Sequence, residues 1–279
     1  MSHSDELNKG QRFEFGENWS NFLKVLDDER IAQAKLSLQD ILNVESLEGK
    51  NFLDVGSGSG LFSLAARMLG AHVCSFDYDP KSVACTHELR NRFFKNDPHW
   101  QIEEGSVLDK SFLSKLGAYD IIYSWGVLHH TGHMNQALDN VIPLLKPEGR
   151  LFIAIYNDQG RTSRHWRFVK KVYCSGLLGR MLTRLAFYPY FAVGRFVANI
   201  LRRENPFTSY SEYRKSRGMS VVHDWEDWLG GYPFEVAKPE EIFDRYRKHG
   251  LILERLKTCA GGLGCNEFVF RHSIYQSSK

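Results

Sequence analysis

The chain has 279 residues, of which 43% are hydrophobic and 25% are charged, so it can bury a substantial core and is neither disordered nor of low complexity. At roughly 150 residues per domain, this length allows one large domain or two small ones. The five cysteines include no CxxC pair, so neither a disulfide framework nor a zinc site is supported. The N-terminal residues contain no apolar stretch, and we therefore expect a cytoplasmic protein without a secretory signal.

Positive charge is concentrated in one part of the chain, residues 161–203. This basic segment contains ten of the 36 Lys and Arg and none of the 33 Asp and Glu, which leaves the other residues with a net charge of −7. Such asymmetry indicates an anionic partner, or docking of the segment against the protein's own acidic surface.

Alternating strands and helices are predicted through the first half of the chain. Apolar residues at helical spacing predict helices within residues 17–43, and short apolar strands alternate with helices from residue 51 onward. This alternation predicts a parallel sheet covered on both faces. The predicted strands are 51–55, 71–76, 101–104, 119–124 and 150–156, and the predicted helices are 61–69, 80–93 and 134–145, with a turn at 146–149.

The C-terminal part predicts a helix followed by a pair of strands. The helix spans residues 239–249, and Gly250 is expected at its C′ position. Strands are predicted at 251–258 and 267–271, joined by the glycine-rich loop 261–264. A hairpin is the simplest connection, so one of these strands should be antiparallel to the rest of the sheet.

The most informative motif is the glycine loop, residues 56–60, between the first strand and the next helix. Its glycines at 56, 58 and 60 allow a tight turn and the close approach of a ligand, although many nucleotide-binding folds share such a loop. Asp54 precedes the loop and would repel a pyrophosphate, whereas it suits a ligand with a positive centre and an amine. Asp77 ends the second strand, where an acid can bind both hydroxyls of a ribose. S-adenosylmethionine has a positive sulfonium, an amine and a ribose, so it fits both carboxylates. The alternative to a ligand-binding role is that Asp54 merely caps the turn.

Five stretches resemble the successive motifs of class I S-adenosylmethionine-dependent methyltransferases. They are residues 53–60, 76–77, 105–109, 119–124 and 144–151. Residues 127–130, Val-Leu-His-His, are similar to a stretch of the ubiquinone and menaquinone type of small-molecule methyltransferases. The resemblance covers about residues 50–157 and the final strand pair.

This resemblance implies a Rossmann-like α/β fold, with a seven-stranded sheet in the order 3-2-1-4-5-7-6 and helices on both faces. It also implies that Asp77 binds the ribose, that Asp109 lies near the adenine amino group, and that Gly56 and Gly58 contact the methionine part. Ser57, Gly60, Tyr78, Ser124 and Trp19 complete the predicted cofactor-binding set with Asp54, and Trp19 is expected to close over the cofactor from the N-terminal helices. The motif for methylating nucleic-acid amino groups is absent after the fourth strand, so a nucleic-acid partner is disfavoured.

Residues after the fourth and fifth strands are the candidates for the acceptor site. His130 is a candidate general base because imidazole titrates near neutrality, and His129 is placed beside it toward the cofactor; either histidine could instead simply pack beneath the cofactor. Tyr156 is a further candidate catalytic residue and Asn157 a candidate for binding the acceptor, because both end the fifth strand, at the edge where ligands bind, and can orient a hydroxyl or amine; Asn157 also begins a good turn sequence. No nearby carboxylate completes a metal site with these histidines.

A second group of candidates lies in the aromatic stretch 221–235. His223 is an alternative base, and Tyr232 and Glu235 are predicted to line the acceptor pocket. The alternative is that this stretch forms an aromatic core under a long insertion.

The basic segment predicts two amphipathic helices, and its longest charge-free stretch, residues 185–194, is too short to span a bilayer. It can serve as a lid over the active site, a homodimer interface, a peripheral contact with an anionic membrane, or an RNA-binding surface. A lid or dimer ranks first because Pro189 and the interspersed arginines would spoil a continuous apolar face.

The resulting hypothesis is a methyltransferase with residues 1–50 over the cofactor, a core of 51–160 and 238–279, and a helical cap of 161–237. It transfers a methyl group from S-adenosylmethionine to an oxygen or nitrogen of a small organic acceptor. The rival hypotheses are an RNA or lipid (prenylquinone) methyltransferase that uses the basic segment, a nucleotide-binding oxidoreductase, and a cofactor-binding scaffold without catalysis.

Overall fold

A single sheet of seven strands organises the protein in the computed structural model, which describes residues 3–201 and 221–273. The strands lie in the order β3-β2-β1-β4-β5-β7-β6, with β7 antiparallel to both of its neighbours and the other pairs parallel. The predicted fold class and strand order are therefore confirmed. The strands are β1 (Asn51–Val55), β2 (His72–Asp77), β3 (Trp100–Glu104), β4 (Tyr119–Trp125), β5 (Leu145–Tyr156), β6 (Leu251–Lys257) and β7 (Cys265–His272).

Helices cover both faces of this sheet because successive strand residues point to opposite sides. Leu53 and Val55 of β1 join the core on one face, while Phe52 joins the core on the other. In the described residues the helices are α1 (His3–Asn8), α2 (Gly16–Leu23), α3 (Asp28–Leu42), α4 (Leu61–Met68), α5 (Pro80–Phe93), α6 (Lys110–Leu113), α7 (Met134–Asn140), α8 (Arg161–Cys174), α9 (Leu177–Leu201), α10 (Val221–Gly230) and α11 (Pro239–Lys248).

The predicted boundaries differ from the structure mainly around β5. The predicted helix 134–145 ends at Asn140, and a short 3₁₀ turn, Ile142–Leu144, contains Pro143, which cannot donate a helical hydrogen bond. Strand β5 then begins at Leu145, so the predicted turn 146–149 lies inside it as an irregularity with Glu148 at φ +61°. Gly250 follows α11 with φ +78°, as predicted for a C′ glycine.

The basic segment forms the two cap helices, α8 and α9, as far as the described residues reach. They pack against each other and against α10 around an aromatic cluster that includes Trp166, Tyr173 and Phe234. Helix α9 runs through Pro189 without ending. In the part of the chain that the structure describes, no helix has both the length and the apolar character to cross a membrane.

Candidate active site

The glycine loop is hydrogen-bonded to the last two residues of β2, Phe76 and Asp77. The amides of Gly56 and Ser57 both donate to the carbonyl oxygen of Phe76, at 2.9 and 3.1 Å. The amide of Gly58 donates to Asp77 Oδ2 at 2.9 Å, and that of Gly60 donates to the carbonyl oxygen of Ser57 at 2.8 Å. These four amides are therefore used inside the protein.

The segment after β4 and helix α2 each place a side chain against the glycines of the same loop. A Cβ atom on Gly56 would lie 2.4 Å from the Val127 side chain, which follows β4. One on Gly58 would lie 3.0 Å from the indole ring of Trp19, in α2. Since Gly56 also has φ +77° and Gly58 φ +55°, side chains are excluded at both positions by backbone conformation and by space.

Asp77 presents its carboxylate at the edge of this loop. Oδ2 accepts from the amide of Gly58 and Oδ1 from the amide of Asp79, each at 2.9 Å. Burial raises the pKa of Asp77 to about 6, against the opposing effect of these amides, so the group is mainly ionised at neutral pH. A carboxylate fixed in this way keeps lone pairs for two further hydroxyl donors, which fits a ribose.

Asp54 lies beneath the loop rather than at its surface, with 3% of the residue exposed. Its Oδ2 accepts a hydrogen bond from Ser63 Oγ at 2.5 Å, and that hydroxyl is 2.7 Å from Ser75 Oγ. Trp100 Nε1 donates to the same Ser75 oxygen. These hydrogen bonds form a buried polar network in which Asp54 joins β1 to α4 and β2. Burial raises the pKa of Asp54 to about 7.

His129 and His130 lie in a 3₁₀ turn after β4, Leu128–His130, here called the histidine turn. The structure brings both rings to Tyr156, with centroid distances of 4.2 Å for His129 and 5.5 Å for His130. Burial lowers the pKa of His129 well below its usual value and that of His130 to about 3. Both rings are consequently neutral at physiological pH.

The tautomer of His130 follows from its hydrogen bond. Nδ1 lies 2.6 Å from the carbonyl oxygen of Pro233, which can only accept, so Nδ1 must carry the hydrogen. In a neutral ring this leaves Nε2 with a free lone pair. The ring of Phe15 lies 5.2 Å from that of His130, so the imidazole has an aromatic neighbour from the N-terminal region.

Comparison with known proteins now decides the family. Residues 28–191, more than half of the chain, match the methyltransferase domain family. The chain belongs to that family. It is a class I methyltransferase whose cofactor is S-adenosylmethionine.

Its curated relatives match only over the central part of the chain. The ubiquinone biosynthesis O-methyltransferase of Nitrosococcus oceani is 32% identical over 142 residues, which cover 48% of this chain and 53% of the relative. That of Cronobacter sakazakii is 30% identical over 122 residues, or 43% and 46% of the two chains. The chain thus spans about half the length of the curated relatives it matches.

Solved structures share the fold over most of this methyltransferase. The magnesium protoporphyrin IX methyltransferase of Synechocystis, solved with bound S-adenosylhomocysteine, has a TM-score of 0.51 at 12% identity and covers 87% of this chain and 83% of its own. An O-methyltransferase family protein from Burkholderia thailandensis has a TM-score of 0.53 at 11% identity, over 89% and 59%. At these identities the likeness describes the fold alone.

Other predicted cofactor residues of the methyltransferase make contacts within the protein. Ser57 Oγ lies 2.9 Å from Thr86 Oγ1, and Ser124 Oγ donates to the carbonyl oxygen of Val55 at 3.1 Å. The exposed Asp109 accepts from two amides at the start of α6. Their contacts with the cofactor remain predictions.

The predicted acceptor residues fall into different environments. Glu235 holds the histidine turn, because its amide donates to the carbonyl oxygen of His129 at 3.0 Å and its Oε2 accepts from the amide of Met134 at 2.9 Å. Burial raises the pKa of Glu235. The carbonyl oxygen of Tyr232 accepts from the amide of Phe13 at 2.9 Å, which joins this stretch to the N-terminal region.

Two further candidates are not brought to the histidines by the described contacts. Asn157 uses its side-chain amide with the C-terminal hairpin, accepting from Asn266 Nδ2 at 3.1 Å and donating to the carbonyl oxygen of Gly262 at 3.4 Å. The side chain of His223 lies outside the described part of the structure.

Sequence reasoning missed Arg12, which joins the cofactor side to the histidine turn. Its Nε lies 2.6 Å from Glu6 Oε2, and its guanidinium carbon is 5.0 Å from the ring centre of Tyr78. Its Nη1 donates to the carbonyl oxygen of His130 at 3.0 Å. Because Arg12 and His130 are 118 residues apart, no local pattern in the sequence could have signalled this contact.

Proposed function

We propose that this methyltransferase transfers a methyl group to a hydroxyl oxygen of a small organic acceptor, preferably a phenol. The observation that carries the proposal is the fixed tautomer of His130, whose Nε2 is left as a hydrogen-bond acceptor on a ring that lies 5.5 Å from that of Tyr156. The names of the curated relatives, which are O-methyltransferases, support oxygen as the acceptor atom.

The glycine loop and Asp77 would hold the cofactor. Asp77 would accept hydrogen bonds from the ribose hydroxyls, while Gly56 and Gly58 leave room for the methionine part between Val127 and Trp19. When bound, S-adenosylmethionine supplies an electrophilic methyl group. The use of four loop amides inside the protein argues against a dinucleotide pyrophosphate, and hence against the rival oxidoreductase hypothesis.

His130 would orient the acceptor hydroxyl by accepting its hydrogen at Nε2. With a pKa of about 3, this imidazole is a weak base and cannot take the proton from an aliphatic alcohol at an appreciable rate. A phenol, whose pKa of about 10 is that of a tyrosine side chain, loses its proton far more readily. A phenol is therefore the acceptor that suits a buried, neutral histidine. We expect His130 to contribute to the rate by aligning the acceptor hydroxyl.

The test measures S-adenosylhomocysteine release with matched panels of phenols, aliphatic alcohols and amines. We expect turnover on phenols, and His130→Ala should lower kcat by about 10- to 100-fold, because the acceptor hydroxyl would lose the hydrogen bond that aligns it. Affinity for S-adenosylhomocysteine, measured by calorimetry, should change less than about twofold. The matched control is His133→Ala, since His133 lies in the same stretch but is exposed.

Two outcomes would contradict the proposal. Turnover confined to amines would move the acceptor atom from oxygen to nitrogen. Equal losses in His130→Ala and His133→Ala would remove His130 from the reaction.

A further inference from the structure

Helix α9 presents an apolar stripe to solvent along most of its length. Leu178 and Leu185 are 72% and 74% exposed. The stripe recurs at intervals of three or four residues, or of eight across Pro189, which is the spacing of one helical face. Its members are Leu178, Leu182, Leu185, Val193, Phe196 and Ile200.

The arginines of α9 do not interrupt this stripe. Positions 180, 184 and 195 lie on the other side of the helix at 100° per residue. Arg184 turns toward α10, where its Nη2 lies 2.5 Å from Glu226 Oε1. The expectation that arginines spoil a continuous apolar face is therefore wrong for the described helix.

Helix α8, which packs against α9, carries exposed positive charge of its own. Its exposed residues include Arg161, Arg164, Arg167 and Lys171, together with Phe168, which is 66% exposed. Helices α8 and α9 pack against each other, and neither contains an Asp or Glu. The pair thus combines exposed apolar side chains with cations that have no acidic partner within the two helices.

We propose that the outer face of α9 and the cations of α8 bind the surface of an anionic lipid bilayer. An amphipathic helix binds there by placing its apolar side chains at the boundary between headgroups and acyl chains, and basic residues strengthen the attraction to anionic lipid. The contact is peripheral and does not require a helix that crosses the bilayer.

Two other occupants fit the surface less well. A second copy of the chain docked on this surface would bring the same cations of α8 together, and like charges repel. Single-stranded RNA is bound by stacking its bases on aromatic rings, whereas most of the large apolar side chains exposed on α8 and α9 are aliphatic, with Phe168, Tyr190 and Phe196 as the aromatic ones. Charge and side-chain type both favour an anionic lipid surface.

The test is co-sedimentation of the full-length protein with vesicles. We expect sedimentation with phosphatidylcholine vesicles that contain phosphatidylglycerol, little with phosphatidylcholine alone, and release at high salt because screening weakens surface attraction. Leu185→Glu with Val193→Glu should lower the partition coefficient at least about tenfold, since two charges enter the apolar stripe. Arg164→Ala and Lys171→Ala should each lower it about fivefold.

The matched control places glutamate at exposed apolar positions elsewhere. Leu36→Glu in α3 and Ile252→Glu in β6 replace side chains that are 57% and 46% exposed, and should sediment like the wild type apart from their small effect on net charge. Circular dichroism and S-adenosylhomocysteine affinity confirm that each variant is folded. The assay requires no catalysis, so its failure is separate from a failure of the proposed function.

Three results would overturn the inference. The first is a wild-type protein that stays in the supernatant with anionic vesicles at low salt. The second is a Leu185→Glu, Val193→Glu variant that sediments like the wild type. The third is light scattering that shows a dimer converted to a monomer by this double variant, without vesicle binding, which would assign the face to a second copy.

Discussion

In the glycine loop, four backbone amides are bonded inside the protein and two glycines are enclosed by Val127 and Trp19, whereas the outer face of α9 leaves its apolar side chains largely exposed. The loop depends on backbone conformation, so a single added methyl group is enough to disturb it. The face of α9 depends on the sum of many apolar contacts, and no single residue determines it. Substitutions should therefore act sharply in the loop and gradually in the cap helices.

The sharpest contrast is expected from Gly56→Ala. The new Cβ would lie 2.4 Å from Val127, at a residue with φ +77°. We expect S-adenosylhomocysteine affinity to fall at least about 100-fold in calorimetry, and the free energy of unfolding to fall by about 2–4 kcal/mol. Gly117→Ala is the matched control, because Gly117 has φ +81° with open space around it; it should lose about 1 kcal/mol and keep its affinity. Similar affinity losses in both variants would show that crowding is unimportant.

The next effect in size is expected from Asp77→Asn. Loss of a charged acceptor for two hydroxyls should weaken S-adenosylhomocysteine binding by about 1–3 kcal/mol. Because the pKa of Asp77 is raised to about 6, wild-type affinity should also decline as the pH falls below 6 and the carboxylate is protonated. The variant should lack this decline. Asp109→Asn, at an exposed carboxyl, should change the affinity less; a larger loss there would move the main cofactor contact to Asp109.

An effect on stability rather than on binding should appear in the pH dependence of unfolding for Asp54→Asn. The pKa of Asp54 is raised to about 7 by burial, so between pH 4 and 7 the folded state keeps a proton that the unfolded state has lost. Stability contributed by this protonated carboxyl is lost as the pH rises through that range, with a slope of about 1.4 kcal/mol per pH unit. Urea unfolding at several pH values should show that, in this range, the variant loses less stability than the wild type for each unit of rising pH, with a difference in slope of about this size. Parallel curves would mean that Asp54 titrates normally.

The smallest effect is expected in the cap, from Glu226→Gln. Glu226 accepts from Arg184 and from the hydroxyl of Tyr188, but the pair is partly exposed. Thermal or urea unfolding should show a loss of about 0.5–1 kcal/mol, with cofactor affinity unchanged. Glu240→Gln, in a 4.0 Å pair at the surface, should show no measurable change. A reduced cofactor affinity in Glu226→Gln would indicate that the cap and the loop are coupled.

Much of the sheet could be predicted because its signals are local. The strand Asn51–Val55 and the helix Pro80–Phe93 have the predicted bounds, since a glycine loop follows the strand and Asp79 with Pro80 begins the helix. Helices α1 and α6 are too short to show a periodic pattern and were not predicted. Pro189 was expected to spoil the apolar face of the basic segment, since a proline inside a helix usually breaks it, but α9 continues through Pro189 and the rings of Phe187 and Phe191 contact Trp166 on either side of it.

The candidate site also contains some residues whose proximity could be predicted from the local sequence and others whose proximity could not. Asp77 and the glycine loop belong to one continuous stretch of the chain, so their proximity follows from the strand–loop–helix pattern. The partners of the histidine turn do not: Pro233 is 103 residues from His130, and Arg12 is 118 residues away. Contacts of this kind depend on how the N-terminal region and the stretch after α10 fold back over the sheet.

By itself, the sequence determined the fold class and the strand order implied by its resemblance, because both rest on a recognisable pattern; the acidic residue at the ribose stays a prediction of the same pattern. Only the tertiary structure decided which His130 nitrogen carries the hydrogen, where Glu235 and Arg12 act, and which side of α9 faces solvent. The physical reason is burial. The pKa of His130 and the exposure of Leu185 depend on neighbours from distant parts of the chain, and helical periodicity alone does not specify which face those neighbours cover.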